Sequence, residues 1–192
     1  MARHSEQVKL QIIDATLDLL KQVGAEGLSM RKVAGAAGIS LGNLQYHYKD
    51  RSALLNALAA HYFAECMEML DAYAPGSSVS GRQEKLKQLI LFLLGHMDEL
   101  SDMCRVFREL WSVATRDEAI RAGLNTYYVN LLAGMSRLLQ EMGFTGKESE
   151  TVVCLVLPYI EGYSVTVDAL PLGKHEIADL LMGSLKGMLA QD

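Results

Sequence analysis

Residues 28–50 decide the fold, and they read LSMRKVAGAAGISLGNLQYHYKD. Ser29 and Ser40 can each cap a short helix, because a serine side chain accepts hydrogen bonds from the free amides of a first helical turn. Gly38 stands between the two helices, where the chain has to turn. Two short helices joined by a tight glycine turn form a helix-turn-helix. The predicted helices span residues 30–37 and 41–48.

Longer helices are predicted on both sides of this pair. Apolar residues at steps of three and four favour a helix from about residue 5 to residue 23. Gly24 ends it, since glycine tolerates the left-handed conformation after a last turn. Asp50 can cap a fourth helix over residues 51–73. The predicted core face of the first helix consists of Val8, Ile12, Ala15, Leu19 and Val23, widened by Ile13, Leu17 and Leu20.

The remainder of the chain also has the pattern of helices. The segment 74–81, APGSSVSG, is the clearest linker. Beyond it, capping boxes are predicted at Ser80, Thr115 and Thr145, each followed three residues later by Gln or Glu, and Ser101 can cap a further helix. We therefore expect an all-α fold of about nine helices. The later helices are predicted over residues 84–97 and 102–114, from Thr115 to about 142, from Thr145 to about 169, and over residues 175–189.

Composition excludes several classes of protein. A chain of 192 residues that is 50% hydrophobic and 21% charged can bury a core. Its longest uncharged apolar stretches, 89–95 and 151–160, are shorter than the ~20 residues of a membrane-spanning helix. The segment MARHSEQVKL lacks the apolar core of a secretory signal, and three scattered cysteines favour neither disulfides nor zinc. We expect a cytoplasmic protein with no membrane contact, cofactor or metal.

Charge is concentrated unevenly. Residues 1–55 hold seven Lys or Arg and five Asp or Glu, so they carry +2, whereas the whole chain carries −5. A locally basic end can bind a polyanion, and the major groove of DNA admits one helix. In the second helix of the pair, Leu44 and Tyr48 are four residues apart and would face the core. Gly42, Asn43 and Tyr46 would then face outward.

Each outward residue suits a contact with DNA. The Asn43 amide donates and accepts, so it can read a base edge, while Gly42 permits close approach and Leu41 can touch a thymine methyl. Flanking polar residues can reach phosphates. The candidate phosphate contacts are Gln45, Tyr46, His47, Lys49 and Arg51.

These residues resemble the N-terminal DNA-binding domain of the TetR/AcrR family of transcriptional regulators. Over about residues 8–60 the match includes V-G-x-x-G, S-x-R-x-V-A-x-x-A-G-I-S, L-x-Y-H-Y-K and L-L-x-A-L. The resemblance implies that Arg31 reads a base from the second helix and that Ser29 contacts a phosphate. It also implies Asn43 and Tyr46 in the groove. Gln45 departs from the aromatic residue that many relatives carry there.

The resemblance further implies a DNA-binding domain over residues 1–50 and a helical effector-binding and dimerisation domain over residues 51–192. Repression is the usual activity of the family. One helix-turn-helix makes few contacts, so we expect a homodimer that reads two half-sites of double-stranded operator DNA about 34–36 Å apart. The last two helices are suited to this dimer, since they are apolar and Gly183 and Gly187 allow a partner helix to approach.

Methionine and aromatic side chains recur at four-residue steps on the middle helices. Together with a bend at Pro158, they would suit a small, largely apolar or aromatic effector. Its binding would shift the fourth helix and release the operator. An ordinary hydrophobic core accounts for the same spacing. The candidate effector-binding residues are Met103, Phe107, Trp111, Tyr127, Tyr159 and Tyr163.

Other functions compete with this interpretation. An enzyme is disfavoured, because the sequence has no GxGxxG, GxxxxGK[ST] or GxSxG motif, and Asp179 stands where HExxH requires a second histidine. A helical interaction module without a ligand is a second alternative. A thiol-based redox sensor that uses Cys104 or Cys154 is a third.

Overall fold

In the computed structural model, the chain is helical almost throughout its described part. The structure describes the backbone of residues 2–74, 81–99 and 101–189, and their side chains except in 2–4, 97–99 and 101–105. These ranges hold nine α-helices, one 3₁₀ turn (Val167–Ala169) and no strand, which confirms the predicted all-α fold. The helices are α1 (Ala2–Gly27), α2 (Met30–Ala36), α3 (Leu41–His47), α4 (Arg51–Ala72), α5 (Arg82–Glu99), α6 (Ser101–Ala114), α7 (Glu118–Glu141), α8 (Gly146–Thr166) and α9 (Lys174–Lys186).

Helix α1 is longer than predicted and kinks near its end. It continues past Gly24, whose φ of 66° and ψ of 177° are not helical. The periodicity placed Val23 in the core, and that prediction is wrong, because Val23 is 42% exposed. The buried face is rotated toward Ile13 and Leu20, which the pattern had put at its edge. The buried residues before the kink are Ile12, Ile13, Thr16 and Leu20.

The start of α7 corrects a second prediction. The hydroxyl of Thr115 donates to a backbone carbonyl of its own turn at 2.7 Å instead of capping α7. The Asp117 carboxylate accepts from the amides of Ala119 and Ile120 at 3.0 and 3.2 Å. Asp117 therefore caps α7, since a charged carboxylate is favoured where the amides of a first turn are free.

The predicted capping box at the start of α8 is confirmed. The Thr145 hydroxyl accepts from the amide of Glu148 at 3.3 Å, and the Glu148 carboxylate accepts from the amide of Thr145 at 2.8 Å. The helix then continues through Pro158. The box expected at Ser80 and the cap expected from the Ser101 side chain lie outside the described residues.

The chain divides into two compact units. In the first unit α1 packs on α2 and α2 packs on α3, while Leu54 and Leu58 of α4 are fully buried. In the second unit α5 packs against α8 and α9, and Leu86 and Ile90 of α5 are fully buried. The first unit consists of Met1–Cys66 and Arg105–Tyr128, and the second of Met67–Cys104 and Val129–Asp192.

Helix α8 and the turn after it, Gly146–Ala169, are long and apolar enough to cross a membrane by length and composition alone. Counting only uncharged stretches had missed this segment. The core helix of a soluble protein passes the same test, and α8 buries Val152, Val156 and Ile160 within the second unit. This pattern by itself therefore assigns no membrane span.

An ion pair joins the starts of α5 and α8. Nη1 of Arg82 donates to both carboxylate oxygens of Glu148 at 3.0 Å. The two side chains are only 16% and 9% exposed. The Arg82 guanidinium also lies 5.1 Å from the ring centre of Phe144, within the range of a cation–π contact.

Arg82→Ala should destabilise the protein, because it leaves a buried carboxylate without this donor. We expect the free energy of unfolding to fall by about 2 kcal/mol. The control is Arg121→Ala, whose ion pair with Glu118 is 54% and 76% exposed and should contribute less than about 0.5 kcal/mol. Urea denaturation measures both losses, and equal losses would contradict the assignment.

Candidate nucleic-acid interface

Two serine caps hold the helix pair, as the sequence predicts. The Ser29 hydroxyl accepts from the amide of Lys32 at 3.4 Å, and the Ser40 hydroxyl accepts from the amide of Asn43 at 3.1 Å. Gly38, between α2 and α3, has a φ of 65°. This value lies in the region that favours glycine, so the turn depends on a residue without a side chain.

One side of α3 is fixed against the first unit. Leu44 is fully buried, as is Val33 of α2. Tyr48, just beyond the end of α3, is half-buried. Burial, with a smaller contribution from the nearby Glu6 carboxylate, raises the pKa of Tyr48, so its hydroxyl stays protonated at neutral pH. These contacts fix the rotation of α3 about its own axis.

The opposite side of α3 faces solvent. Gly42, Asn43 and Gln45 are exposed, and the Tyr46 side chain is 83% exposed. The His47 ring lies edge-on to the Tyr46 ring, with 5.2 Å between centroids. A tyrosine so exposed, beside an exposed amide, is typical of a contact surface. Leu41, at the start of α3, is half-buried.

The predicted basic residues differ in their surroundings. Arg31 is exposed on α2. The Lys49 side chain is 83% exposed, and its ammonium lies 3.8 Å from the Asp50 carboxylate. Arg51 is half-buried, and its guanidinium donates to the carbonyl of Ala25 at 2.5 Å. No local sequence pattern marks this contact, which ties Arg51 to the end of α1.

Gln11 is a residue of this region that the sequence analysis missed. Its side-chain amide donates to the carbonyl of Ala37 at 2.7 Å, so α1 is tied to the end of α2. The two residues are 26 positions apart, and no local pattern marks such a contact. It helps to hold α2, and with it α3, in place.

Three of the candidate effector-binding residues meet in the first unit. The rings of Phe63 and Tyr127 are stacked with centroids 3.4 Å apart, and Phe107 lies 5.0 Å from Phe63. The Trp111 ring lies 5.9 Å from that of Tyr128, which contacts Tyr127 at 5.0 Å. We call these five residues the aromatic cluster. Phe63 of α4 and Tyr128 of α7 were not predicted.

The other three candidates lie elsewhere. Tyr163 is buried and Tyr159 half-buried on α8, in the second unit. The side chain of Met103 lies outside the described residues. The aromatic cluster therefore contains Phe107, Trp111 and Tyr127 of the six.

Two cavities of the first unit are lined by other residues. One, of about 310 Å³, borders Gly24 and Glu109. The other, of about 540 Å³, borders Ala25, Arg51 and Asp117. Neither of these two cavities is lined by a predicted effector-binding residue. Neighbouring ring centroids in the aromatic cluster lie 3.4 to 5.9 Å apart, which shows that the cluster packs against itself.

The described side chains contain no group of three His, Cys, Asp or Glu residues placed to hold a metal ion. Cys66 is buried and Cys154 is exposed. The side chain of Cys104 lies outside the described residues. Among the cysteines whose side chains are described, the redox alternative therefore has one accessible candidate, Cys154.

Comparison with known proteins identifies the helix-turn-helix region. Residues 12–58 match the family described as bacterial regulatory proteins, tetR family. An uncharacterized HTH-type transcriptional regulator in the dhlA 5′ region of Xanthobacter autotrophicus is 40% identical over 171 residues, 89% of this chain and 85% of that protein. The class D tetracycline repressor of Escherichia coli is 45% identical over 53 residues, 28% of this chain and 24% of the repressor.

Solved structures share the fold over nearly the whole chain. A transcriptional regulator from Rhodococcus sp. Rha1 has a TM-score of 0.77 at 19% identity, with 96% of this chain and 98% of that chain covered. The multidrug binding protein EbrR, solved with imidazole, has a TM-score of 0.68 at 20% identity, with 96% of each chain covered. The likeness in sequence along most of the Xanthobacter relative and the match over the capped helix pair lead to one conclusion: this chain belongs to the TetR family of bacterial helix-turn-helix transcriptional regulators, which bind DNA.

Proposed function

We propose that this regulator is a homodimeric repressor that leaves its operator when a small, largely apolar or aromatic ligand binds. The observation that carries the DNA-binding part is the solvent-facing side of α3, where Asn43 and Tyr46 stand exposed opposite a fully buried Leu44. A helix that is buried on one side and polar and exposed on the other can enter the major groove without a change in the protein's conformation.

The proposal assigns roles to the DNA-facing residues. Asn43 and Tyr46 contact bases, Gly42 permits close approach, and Leu41 meets a thymine methyl group. Arg31 reads a base from α2. The phosphate contacts are Ser29, Gln45, His47 and Lys49. Arg51 donates one N–H to the carbonyl of Ala25, and a guanidinium has five N–H donors, so we assign it a structural role to which a phosphate contact is added in the DNA-bound state.

The proposed dimer forms through α8 and α9. Several apolar side chains on these helices, in the turn between them and just after α9 are exposed in the single chain, which favours their burial against a partner. Gly183 and Gly187 are also exposed and leave room for a second helix. The exposed apolar residues are Val165, Leu172, Leu180 and Met188.

The proposed effector site is centred on the aromatic cluster. Aromatic walls suit a flat apolar ligand, and the structural neighbour EbrR is described as a multidrug binding protein. Because the rings pack against each other, a ligand has to separate them, and helices α4, α6 and α7 carry them. Met103, Tyr159 and Tyr163 remain further candidates.

Ligand binding then acts on DNA binding through the helices that the ligand separates. A ligand that binds one arrangement of the helices more tightly shifts the population toward it, and an operator of fixed half-site spacing selects the other arrangement. The proposal places DNA binding in residues 1–50 and dimerisation and effector binding in residues 51–192. It includes no catalytic step, and it places the protein with the DNA in the bacterial cytoplasm.

The DNA-binding roles can be separated by mutation. After a preferred duplex has been selected from a random pool, Asn43→Ala should weaken binding to it about 5- to 150-fold and relax the preference at one base position. Lys49→Ala should weaken binding to all duplexes alike and lower the slope of log K against log salt by about 1. Fluorescence anisotropy at several salt concentrations measures both effects.

The control for both variants is Lys147→Ala, an exposed lysine at the start of α8, which should change neither quantity. Failure of the wild-type protein to enrich any duplex would refute the proposed function. An unchanged base preference in Asn43→Ala would refute the role of that residue.

Native mass spectrometry of the purified protein tests the effector site. We expect a co-purified compound of low mass that is lost in Phe107→Ala, because the truncation removes one wall of the aromatic cluster. Val129→Ala is the control, since Val129 on α7 is 64% exposed. The recovered compound should release the protein from its selected duplex, and tighter binding in its presence would overturn the proposed direction of control.

A further inference from the structure

The peptide group of Ala25 is held by two charged side chains from different helices. Its N–H donates to the Glu109 carboxylate at 2.6 Å, and its carbonyl accepts from the Arg51 guanidinium at 2.5 Å. Glu109 belongs to α6, and Arg51 is the first residue of α4. Ala25 itself is only 2% exposed. We call these three residues the Ala25 joint.

The kink at Gly24 makes this arrangement possible. The positive φ of Gly24 interrupts the helix, and a Cβ there would lie 3.4 Å from a Glu109 carboxylate oxygen. The amide of Ala25 thus meets the carboxylate directly after the kink. The corner between α1 and α2 is therefore attached to α6 by a charged hydrogen bond, which is stronger than a neutral one.

A second attachment lies one residue further along α4. The Ser52 hydroxyl donates to the Asp117 carboxylate, which also caps α7. This hydrogen bond, followed by those from the amides of α7 and by the nearby charge of Arg51, lowers the pKa of Asp117. The first two residues of α4 therefore bind the α1 corner and the α6–α7 turn.

Two cavities border these polar contacts. The cavity of about 310 Å³ is lined by Glu109 and Gly24 among others, and the cavity of about 540 Å³ by Ala25 and Arg51. Close-packed side chains resist displacement. Beside two cavities, the hydrogen bonds of the Ala25 joint therefore determine its geometry more than close packing does.

We propose that Glu109 is a positioning residue that sets the half-site spacing accepted by the protein. Through Ala25 it fixes the angle between α6 and the α1–α3 module that carries the recognition helix. This inference rests on the proposed function, because a spacing requires a dimer on two half-sites. One base pair of extra spacing moves a half-site by about 3.4 Å and rotates it about the DNA axis by about a tenth of a turn. A small change of this angle in each subunit therefore decides which spacing fits.

The test uses the full-length protein and the selected duplex, with one or two base pairs inserted or removed between the half-sites. Wild type should prefer the original spacing. In Glu109→Ala the ratio of affinities for the original spacing and for the spacing one base pair longer should shrink at least about fivefold. Glu109→Gln should keep the wild-type ratio, since its carbonyl oxygen still accepts from Ala25. Ser112→Ala, an exposed change on the same helix, should also keep it.

A purely structural role for Glu109 predicts a different outcome. Loss of stability alone would reduce binding to all spacings by the same factor and leave the ratio unchanged, which would overturn the inference. Should Glu109→Ala fail to fold, Arg51→Ala removes the other side of the same joint and should flatten the spacing dependence likewise. Binding to a duplex with a single half-site shows whether the module itself still reads DNA.

A wild-type protein that selects no duplex refutes the proposed function, and the inference falls with it. A wild-type protein that discriminates sharply between spacings, together with a Glu109→Ala variant that discriminates equally, refutes only the role of Glu109.

Discussion

The burial of Leu44 determines what α3 offers to solvent. A helix of seven residues has almost no stability of its own, so α3 persists because Ser40 caps its start and Leu44 anchors its middle. Because Leu44 is buried on one side of α3, the side chains of Asn43 and Tyr46 are exposed to solvent on the other side. The serine cap, the glycine turn and the buried leucine therefore act together, and the proposed DNA contacts depend on all three.

The parts of the fold that depend on residues close together in the chain, such as the helix caps, could be predicted from the sequence. The caps of Ser29 and Ser40 and the Thr145 box were confirmed, since each involves residues within three positions of one another. The prediction that Thr115 caps α7 was wrong for a physical reason. Asp117, a stronger cap, lies two positions closer to α7, and its bond to Ser52, 65 positions away, has no sequence signature.

Contacts between distant parts of the chain could not be predicted in this way. Periodicity places Phe107 and Tyr127 on helix faces, but it does not state that Phe63 lies against both. Likewise, Glu109 and Ala25 are 84 positions apart, and their hydrogen bond forms directly after the kink of α1 at Gly24. The helix-turn-helix can thus be predicted from the sequence. The positions of the aromatic rings at the candidate effector site depend on tertiary packing and cannot be predicted in this way.

Trp111 makes the fluorescence of this protein simple to interpret. It is the only tryptophan in the chain, its side chain is 39% exposed, and its indole N–H donates to the Tyr128 hydroxyl at 3.4 Å. The tryptophan fluorescence of this protein therefore comes from a single residue, which lies beside the rings of Tyr127 and Tyr128. Its colour and intensity depend on the polarity and the neighbours of that place alone, so the molecule carries its own optical reporter at the edge of the aromatic cluster.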